Sequence, residues 1–539
     1  MPSIRNKLSC TGIFRHDINS RYISFLIPGF LVLGIAIRLI RYLLFFPLWG
    51  DEACLAANFI NRNYGQLLQP LDYYAVVPVF FLWIEKAVIN LLGFNEYSLR
   101  LFPTVCSILG VFIFYRIAKR ILQGLPLLLA TAIFSVSYYP IRHGAEVKPY
   151  SSDLFVSLVL LLLATGHLNN PKQKGWLWGL CAFVPVAIGL SYPAVFVAGG
   201  IAVMLFYRAI MVRERNTIMG FLFYTLLLLG SFTLTYFLFT QIQLNFELKT
   251  LGGRHMFSIW EHTFPPLRRP GLFILWMIQA HTGRMFAYPV GGMNGGSIVI
   301  FICFVVGLAV LRRERKKALL ILVITPFILA FIAAAIHRYP YGYSARWMLY
   351  LAPFICISTG LGAATFISHI KNRQWRNAVT AGIVTGLILI GVGCIARDAI
   401  KPYKEKADLN SRAFARYFWN YLPPGSELFC VKTDLGKDFF PGLFLTNHNS
   451  ARYLCNQKIY SPRHQKGRKP AILKTQPPGS KIRFVVYSVP GVKRDDKRFA
   501  RWLKLINNSA VDADYQCHTI NTDFPKHRET YEVYEFTVE

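Results

Sequence analysis

The sequence predicts a mostly α-helical, polytopic membrane bundle with about eleven spans, followed by a small α/β domain outside the membrane. Three observations support this fold class. Of the 539 residues, 54% are hydrophobic, which is too apolar for a set of soluble domains of that total length. Apolar runs recur along the first three quarters of the chain, and runs of about 17 to 25 residues are long enough for a helix to cross the hydrocarbon core. The last quarter is polar, dense in charge and rich in turn-forming residues.

The spans follow these apolar runs in order. We place them at about 21–47, 101–118, 125–139, 151–166, 175–191, 192–207, 217–240, 296–311, 318–336, 347–367 and 378–396. No small-residue cleavage site follows the first run, so we expect a retained span rather than a signal peptide. The apolar segment 272–280 is too short to span and is predicted to be interfacial or re-entrant.

The positions of the basic residues indicate which gaps between spans face the cytoplasm. The formal net charge is +32, and such an excess can indicate nucleic-acid binding. Here, however, the basic clusters occupy every second short gap between spans: Arg116, Lys119 and Arg120; Lys172 and Lys174; Arg208, Arg213 and Arg215; Arg312, Arg313, Arg315, Lys316 and Lys317; Lys371, Arg373 and Arg376. This is the positive-inside pattern, so we expect a cytoplasmic-membrane protein with a cytoplasmic N-terminus, an extracytoplasmic C-terminus and no nucleic-acid partner.

The chain is predicted to divide into a multi-span domain, 1–397, and an extracytoplasmic α/β domain, 398–539. The first domain has two long outer loops, 49–100 and 241–293, and the first loop contains two amphipathic stretches, 52–61 and 77–92, typical of interfacial helices. In the tail, SELFCV, YLCNQKIY, KIRFVVYSV, DYQCHTI and YEVYEFTV predict strands, and DLNSRAFARYFWNYL and KRFARWLKLI predict helices. Cys430, Cys455 and Cys517 allow one disulfide there, with Cys430–Cys455 as the candidate pair.

The carboxylates of the membrane domain are distributed unevenly across the predicted topology. Asp17, Glu214 and Glu314 are predicted to be cytoplasmic, whereas Asp51, Glu52, Asp72, Glu85, Glu96, Glu146, Asp153, Glu247 and Glu261 are predicted to lie outside or at the outer end of a span. Chemistry that uses carboxylates is therefore expected at the outer face. Nucleotide-activated substrates are not normally present there, so a transferred group must arrive already activated, and a lipid-linked phosphate donor is the obvious source.

The first candidate site is the pair Asp51–Glu52, directly after the first span. In one interpretation Asp51 caps the interfacial helix and Glu52 favours its positive end. In the other, one of them is a general base that deprotonates an acceptor hydroxyl or amine as it attacks a sugar. The two interpretations are compatible, because one residue can cap while the other reacts.

The second candidate site is the outer turn SYYPIRHGAEVKPYSSDLF (137–155). Within a dozen residues it gathers Arg142, His143, Glu146, Lys148, Tyr150 and Asp153. An interfacial belt of aromatic rings and snorkelling cations explains the tyrosines and Arg142, but it explains the two carboxylates poorly. The pattern favours a functional site in which Lys148 or Arg142 binds phosphate and Glu146 is a second acid.

The third candidate site is HRYPYGYSARWMLYLAPF (337–354), where Arg338 and Arg346 flank a tyrosine-rich turn. Arg346 stands at the start of a span and could grip a lipid phosphate with two hydrogen bonds. A snorkelling arginine beside an aromatic belt explains the same pattern equally well.

Two further classes of function remain open. A charge within a span, such as Arg38 or Asp153, is compatible with a transporter or flippase of a lipid-linked saccharide. Such charges are sparse, however, and no pair of interrupted helices indicates inverted repeats. Alternatively, the chain is a membrane-anchored binding protein whose tail carries the function. No P-loop, GxGxxG, GxSxG or HExxH motif is present.

The order of motifs resembles a known family. An apolar span, GDEA (50–53), an amphipathic helix, LLGFNEYSLRLFP (91–103) and a further span resemble the first outer loop of GT-C glycosyltransferases. The resemblance is to the branch with the protein O-mannosyltransferases, the lipid A aminoarabinose transferases and the lipopolysaccharide-core transferases of the Rgt type. AEVKPYSSDL (145–154) is similar to a turn in bacterial family 39-like members. ARWMLYLAPF (345–354) resembles their late motif, with Trp347 in place of tyrosine.

The resemblance, which covers about 21–400, implies an inverting transferase that takes a sugar from a polyprenyl-phosphate donor. It implies that Asp51 is the base, that Glu52 orients the acceptor or shares that role, and that Lys148 and Arg346 hold the donor phosphate. The acceptor is a glycan, a lipid or a protein. Many relatives carry a His–Pro pair after the first interfacial helix, where this chain has Gln69–Pro70. A divalent metal therefore stays open, and no metal ligands are carried over.

Overall fold

A computed structural model gives the structure of the chain. It describes residues 20–71, 75–250, 261–293, 295–404, 408, 409, 412, 427–432, 458–460, 481–488, 516–520 and 530–537. The chain forms two compact units, one from Met1–Phe45 and Val76–Ile400, the other from Phe46–Ala75 and Lys401–Glu539. The first unit holds every predicted span.

The described residues form sixteen α-helices and five β-strands. The helices are α1 Ser20–Leu43, α2 Gly50–Asn61, α3 Val79–Leu92, α4 Glu96–Ile121, α5 Leu125–Val136, α6 Tyr138–Arg142, α7 Tyr150–Asn169, α8 Gly175–Leu190, α9 Ala194–Val212, α10 Arg215–Thr235, α11 Gln241–Thr250, α12 Pro270–Thr282, α13 Ile298–Arg313, α14 Lys317–Ala335, α15 Ala352–Ser368 and α16 Arg373–Ile400. The strands are β1 Glu427–Lys432, β2 Lys458–Tyr460, β3 Lys481–Ser488, β4 Gln516–Ile520 and β5 Thr530–Thr537.

Each of the eleven predicted spans coincides with a helix, but the helices differ in length. Among the described residues, eight helices are long and apolar enough to cross a membrane, and α5 with the bent segment that follows it makes a ninth. The two remaining helices, α8 and α13, have 16 residues each. A helix rises 1.5 Å per residue, so each is about 24 Å long, short of the roughly 30 Å hydrocarbon core.

The two amphipathic stretches of the first outer loop are the helices α2 and α3, as predicted. The short apolar segment that was predicted not to span is α12, with 13 residues. The start of α4 shows why a helix begins there. The Asn95 side chain accepts hydrogen bonds from the backbone N–H groups of Tyr97 and Ser98, both at 2.9 Å, and the Ser98 hydroxyl accepts one from the Asn95 N–H at 3.1 Å. This reciprocal cap satisfies N–H groups that the helix itself leaves unpaired.

The centre of the membrane unit is α15, which packs against α5 and α13 with very little space between backbones. A Cβ atom added at Gly307 would lie 2.0 Å from the Ser358 carbonyl oxygen, and one added at Gly362 would lie 1.8 Å from the Cys303 carbonyl oxygen. Glycine is therefore required on both helices. Small residues of this kind let helices approach closely where lipid provides no hydrophobic drive for association.

The tail of the second unit forms a mixed five-stranded sheet with the order β2-β1-β3-β5-β4. β1 pairs in parallel with β2 and β3, with Cys430 opposite Ile459 and Val485. β5 pairs antiparallel with β3 and β4. All five predicted strands are confirmed. The predicted helix 497–506, most of the predicted helix 408–422, and Cys455 of the candidate disulfide lie outside the described residues.

Candidate active site

The second candidate site lies in the turn between α5 and α7, within the first unit. α6 is followed by a single 3₁₀ turn, His143–Ala145, and Glu146 then adopts an extended backbone conformation. The Lys148 N–H donates to the Glu146 carbonyl at 2.7 Å, and α7 begins directly after Pro149. Proline suits this position, since it cannot extend a helix backwards. The local sequence thus presents Glu146 and Lys148 on a short, well-defined segment.

A buried histidine–carboxylate pair anchors this segment. The Nδ1 atom of His143 donates to Oε2 of Glu146 at 2.7 Å. The two residues are 6% and 3% exposed. The His143 ring stacks on Tyr139, with centroids 6.1 Å apart, and meets the Tyr150 ring edge-on at 5.4 Å. The carboxylate of Glu146 is therefore held in one orientation by a hydrogen bond in which the carboxylate itself is the charged partner, and such a bond is stronger than one between two neutral groups.

Two cations belong to the same region. The side chain of Lys148 is half-buried and makes no hydrogen bond or ion pair with any described residue. The guanidinium carbon of Arg346 lies 5.9 Å from the centroid of the Tyr150 ring and 5.3 Å from that of Trp347. These are cation–π distances. Tyr150 therefore contacts His143 on one side and Arg346 on the other, and it links the second and third candidate sites.

The two other predicted phosphate ligands are placed differently. Arg142 donates from Nη1 to the Tyr138 hydroxyl at 3.2 Å, and its guanidinium faces the Tyr138 ring at 5.8 Å. Arg338 is exposed, and no contact within the described residues joins its side chain to the cluster. Of the alternatives Lys148 and Arg142, Lys148 is the cation whose side chain has no hydrogen-bond or ion-pair partner among the described residues.

Asp153 lies behind the cluster, in the first turn of α7. It is buried, and its Oδ1 atom has no hydrogen-bond partner. Tyr339 is close by and donates from its hydroxyl to the Trp347 carbonyl at 2.9 Å. Burial raises the pKa of Tyr339 well above its usual value, and the neighbouring Tyr350, Asp153 and Tyr150 raise it further. Asp153 therefore lies in a buried region lined by tyrosines, where few other groups would compete with a polar ligand atom for its carboxylate.

A buried arginine, Arg38, supports the turn through Ser107, and the sequence interpretation missed this role. Arg38 of α1 is 2% exposed. It donates to the Ser107 hydroxyl at 3.0 Å and to the carbonyls of Gly34 and Ser135 at 2.8 and 2.9 Å. A Cβ atom added at Gly144 would lie only 2.4 Å from Ser107 Oγ. Gly144 therefore packs directly against the Ser107 hydroxyl, to which Arg38 donates a hydrogen bond. Only the rarity of arginine within a span signals such a role in the sequence.

The first candidate site, Asp51–Glu52, lies in the second unit at the start of α2. The predicted cap is wrong in its assignment: the N-cap residue is Trp49, and its backbone N–H donates to Oε2 of Glu52 at 3.3 Å. The helix starts two residues earlier than expected, so Asp51 is its second residue and cannot cap it. Glu52 is 1% exposed whereas Asp51 is half-exposed. The capping function therefore belongs to Glu52, and Asp51 has a carboxylate at the positive end of a helix.

A divalent metal would need several His, Cys, Asp or Glu side chains close together. Among the described residues, no three His, Cys, Asp or Glu side chains come together in a way that could hold a metal ion. The pair His143–Glu146 supplies two ligand types but no third. The described residues therefore do not form a metal-binding group.

Comparisons with known proteins agree with this architecture. The family model described as dolichyl-phosphate-mannose-protein mannosyltransferase matches residues 76–237. No curated protein sequence matches the chain. ArnT from Cupriavidus metallidurans in the apo state has a similar fold, with 12% identity, a TM-score of 0.51 and coverage of 94% of this chain and 98% of that one. ArnT from the same organism bound to undecaprenyl phosphate has 11% identity and a TM-score of 0.53, with coverage of 96% of this chain and 98% of that one. The predicted fold class and the predicted resemblance are confirmed.

Proposed function

We propose that this chain, a membrane glycosyltransferase with the GT-C fold, takes its sugar from a polyprenyl-phosphate donor and transfers it with inversion to an acceptor at the outer face of the cytoplasmic membrane. The acceptor is a glycan, a lipid or a protein. The matched family model is named for a transferase that uses a lipid phosphate, and one structure of similar fold contains undecaprenyl phosphate. Both support a donor of this chemistry.

The observation that carries the proposal is the cluster around Tyr150. It combines the ammonium group of Lys148, which has no partner within the described part of the chain, with the guanidinium of Arg346 and the buried His143–Glu146 pair. A phosphate monoester or diester presents oxygens that both cations can bind, and Arg346 can do so with two parallel hydrogen bonds. We assign Lys148 and Arg346 to the donor phosphate, and Glu146, Tyr150 and Asp153 to the walls of the same site.

Asp51 is the proposed general base. In the reaction, the acceptor oxygen or nitrogen attacks the anomeric carbon of the sugar and its proton passes to the Asp51 carboxylate. The bond between the anomeric carbon and the phosphate oxygen breaks, and the electron pair leaves with the polyprenyl phosphate. One displacement from the opposite side inverts the anomeric centre, and no covalent enzyme intermediate forms. A positioned carboxylate contributes to such a step by accepting the proton as the new bond forms. Glu52 fixes the start of α2 and so the place of Asp51.

The distribution of charge along the chain supports the outer face. Basic clusters in alternate gaps favour a cytoplasmic location for those gaps, while the carboxylates collect in the other gaps. A donor carried by a lipid is available on the outer side, where nucleotide sugars are not.

The test is the substitution Asp51→Asn in a strain that lacks the native gene. Mass spectrometry of the envelope glycans, lipids and glycoproteins should show that one sugar is lost in the deletion strain, restored by the native chain and not restored by the variant. Glu214→Gln, which removes an exposed carboxylate from the opposite predicted face, is the matched control and should restore the sugar. Wild-type levels of the sugar with Asp51→Asn, at equal membrane abundance, would refute the assignment. Translocation of a lipid-linked saccharide by vesicles containing the variant would instead identify a transporter.

A further inference from the structure

The last turn of α1 carries an arginine that connects the active-site turn to the end of the last membrane helix. Arg41 is buried, and its Nη1 atom forms an ion pair with Oδ2 of Asp398, near the end of α16. Its Nε atom donates to the backbone carbonyl of Arg142 at 3.2 Å. Asp398 is also buried, at 6% exposure. The two side chains are therefore shielded from water, and their geometry is strongly directional.

The Arg142 carbonyl lies where α6 gives way to the 3₁₀ turn, and it has lone pairs to accept a donor from outside. Arg142 is the last residue of α6, and the final carbonyls of a helix have no partner within it. A guanidinium presents its N–H donors in a rigid, planar fork. When Asp398 holds one edge of that fork, Nε is aimed at the carbonyl. The position at which the chain leaves α6 toward Glu146 and Lys148 is thereby fixed.

The other end of α6 is held by the same neighbouring helix. The Tyr138 hydroxyl accepts hydrogen bonds from Arg142 and from Arg397, the residue before Asp398. The Arg397 guanidinium also lies 4.8 Å from the centroid of the Tyr138 ring, and the Tyr138 N–H donates to the Pro289 carbonyl at 2.9 Å. Both ends of a five-residue helix are therefore tied to the last turn of α16, directly or through Arg41.

We propose that Arg41, held by Asp398, is a positioning residue that sets the place of Lys148 and Glu146 in the donor-phosphate site. This rests on the proposed function, since it assumes that the turn binds phosphate. A buried ion pair by itself is weak evidence of stabilisation, because removing two charges from water is costly. Here the ion pair also orients the hydrogen bond from Arg41 Nε to the Arg142 carbonyl. An ion pair that only joined two helices would not make this additional bond.

The decisive variant is the double substitution Arg41→Met with Asp398→Leu. Apolar residues of similar volume often replace a buried ion pair without loss of stability, so α1 and α16 should remain packed. The donor to the Arg142 carbonyl is nevertheless gone. Arg120→Met is the matched control, because Arg120 is also an arginine that bridges helices, donating to Thr165 Oγ1 at 3.2 Å, but it lies 13 residues along α4 from Ser107. At 1.5 Å per residue that is about 20 Å from the turn's support.

The full-length chain in lipid nanodiscs is measured in two ways: its Kd for undecaprenyl phosphate, and the hydrogen exchange of the backbone amides within 146–150, where every residue except Pro149 carries one. We expect the double variant to unfold near the wild-type temperature, yet to bind undecaprenyl phosphate at least about tenfold more weakly and to exchange those amides about tenfold faster. Arg120→Met should change neither quantity. The expected weakening is one decade, or about 1.4 kcal/mol of binding free energy.

If the double variant has both the stability and the affinity of the wild-type chain, Arg41 has no positioning role. Arg41 and Asp398 would then form only an ion pair between two helices. If the wild-type chain fails to bind undecaprenyl phosphate, the proposed donor is wrong, and the exchange measurement still decides the present inference. In that case, unchanged exchange at 146–150 overturns it, and faster exchange confined to that segment supports it.

Discussion

The substitution Lys148→Ala separates binding from folding more cleanly than any other change in the site. The Lys148 side chain makes no hydrogen bond or ion pair with a described residue, so its loss should change the free energy of unfolding by less than about 0.5 kcal/mol. A hydrogen bond between two charged groups contributes about 1.5–3 kcal/mol. Since about 1.4 kcal/mol corresponds to a factor of ten in affinity, Kd for a polyprenyl phosphate should rise about 10- to 140-fold.

The assay is titration of the purified, nanodisc-embedded chain with undecaprenyl phosphate, with the unfolding temperature recorded on the same samples. Lys148→Arg should keep Kd within a few-fold, because the positive charge is retained. Lys174→Ala removes the same charge from an exposed position before α8, on the predicted cytoplasmic side, and should leave Kd unchanged. Wild-type affinity in Lys148→Ala would refute the assignment of this lysine to the phosphate. A large fall in the unfolding temperature would show that the side chain supports the fold instead.

Two further predictions concern the packing and the protonation of the membrane unit. Gly144→Ala places a methyl group 2.4 Å from Ser107 Oγ, so we expect a loss of about 1–3 kcal/mol in stability by thermal unfolding, whereas Gly175→Ala, which meets nothing within 4 Å, should cost little. Burial raises the pKa of Glu85 well above its usual value, and neither carboxylate oxygen has a hydrogen-bond partner. Its contribution to stability is thus fully present below the unfolded pKa of about 4.3 and is lost as pH rises through the folded pKa. Between pH 5 and 8 the unfolding temperature of the wild-type chain should therefore fall relative to that of Glu85→Gln, and parallel curves would contradict this.

The membrane helices and the sheet were predictable because their signals are local. Each predicted span is a continuous apolar run, and each strand of the tail is a short run of β-branched and aromatic residues between turn formers. The pair His143–Glu146 is also local, since its members are three positions apart. Predicted positions were least accurate where a helix begins. Asp51 was expected as a cap, but the cap bond is made by Glu52 to Trp49, because α2 starts two residues earlier.

The sequence by itself predicted which segments form the long apolar helices and which turn carries Glu146 and Lys148. It could not assign Arg142 or Arg41. Arg41 and Asp398 are 357 positions apart, and Arg41 reaches the Arg142 carbonyl across 101 positions. No periodicity in the chain records such contacts, because they depend on where the ends of α1, α6 and α16 meet after packing. Only the tertiary structure could decide that Arg142 is already engaged with Tyr138, that Arg41 is a candidate positioning residue, and that no described residue pairs with the Lys148 side chain.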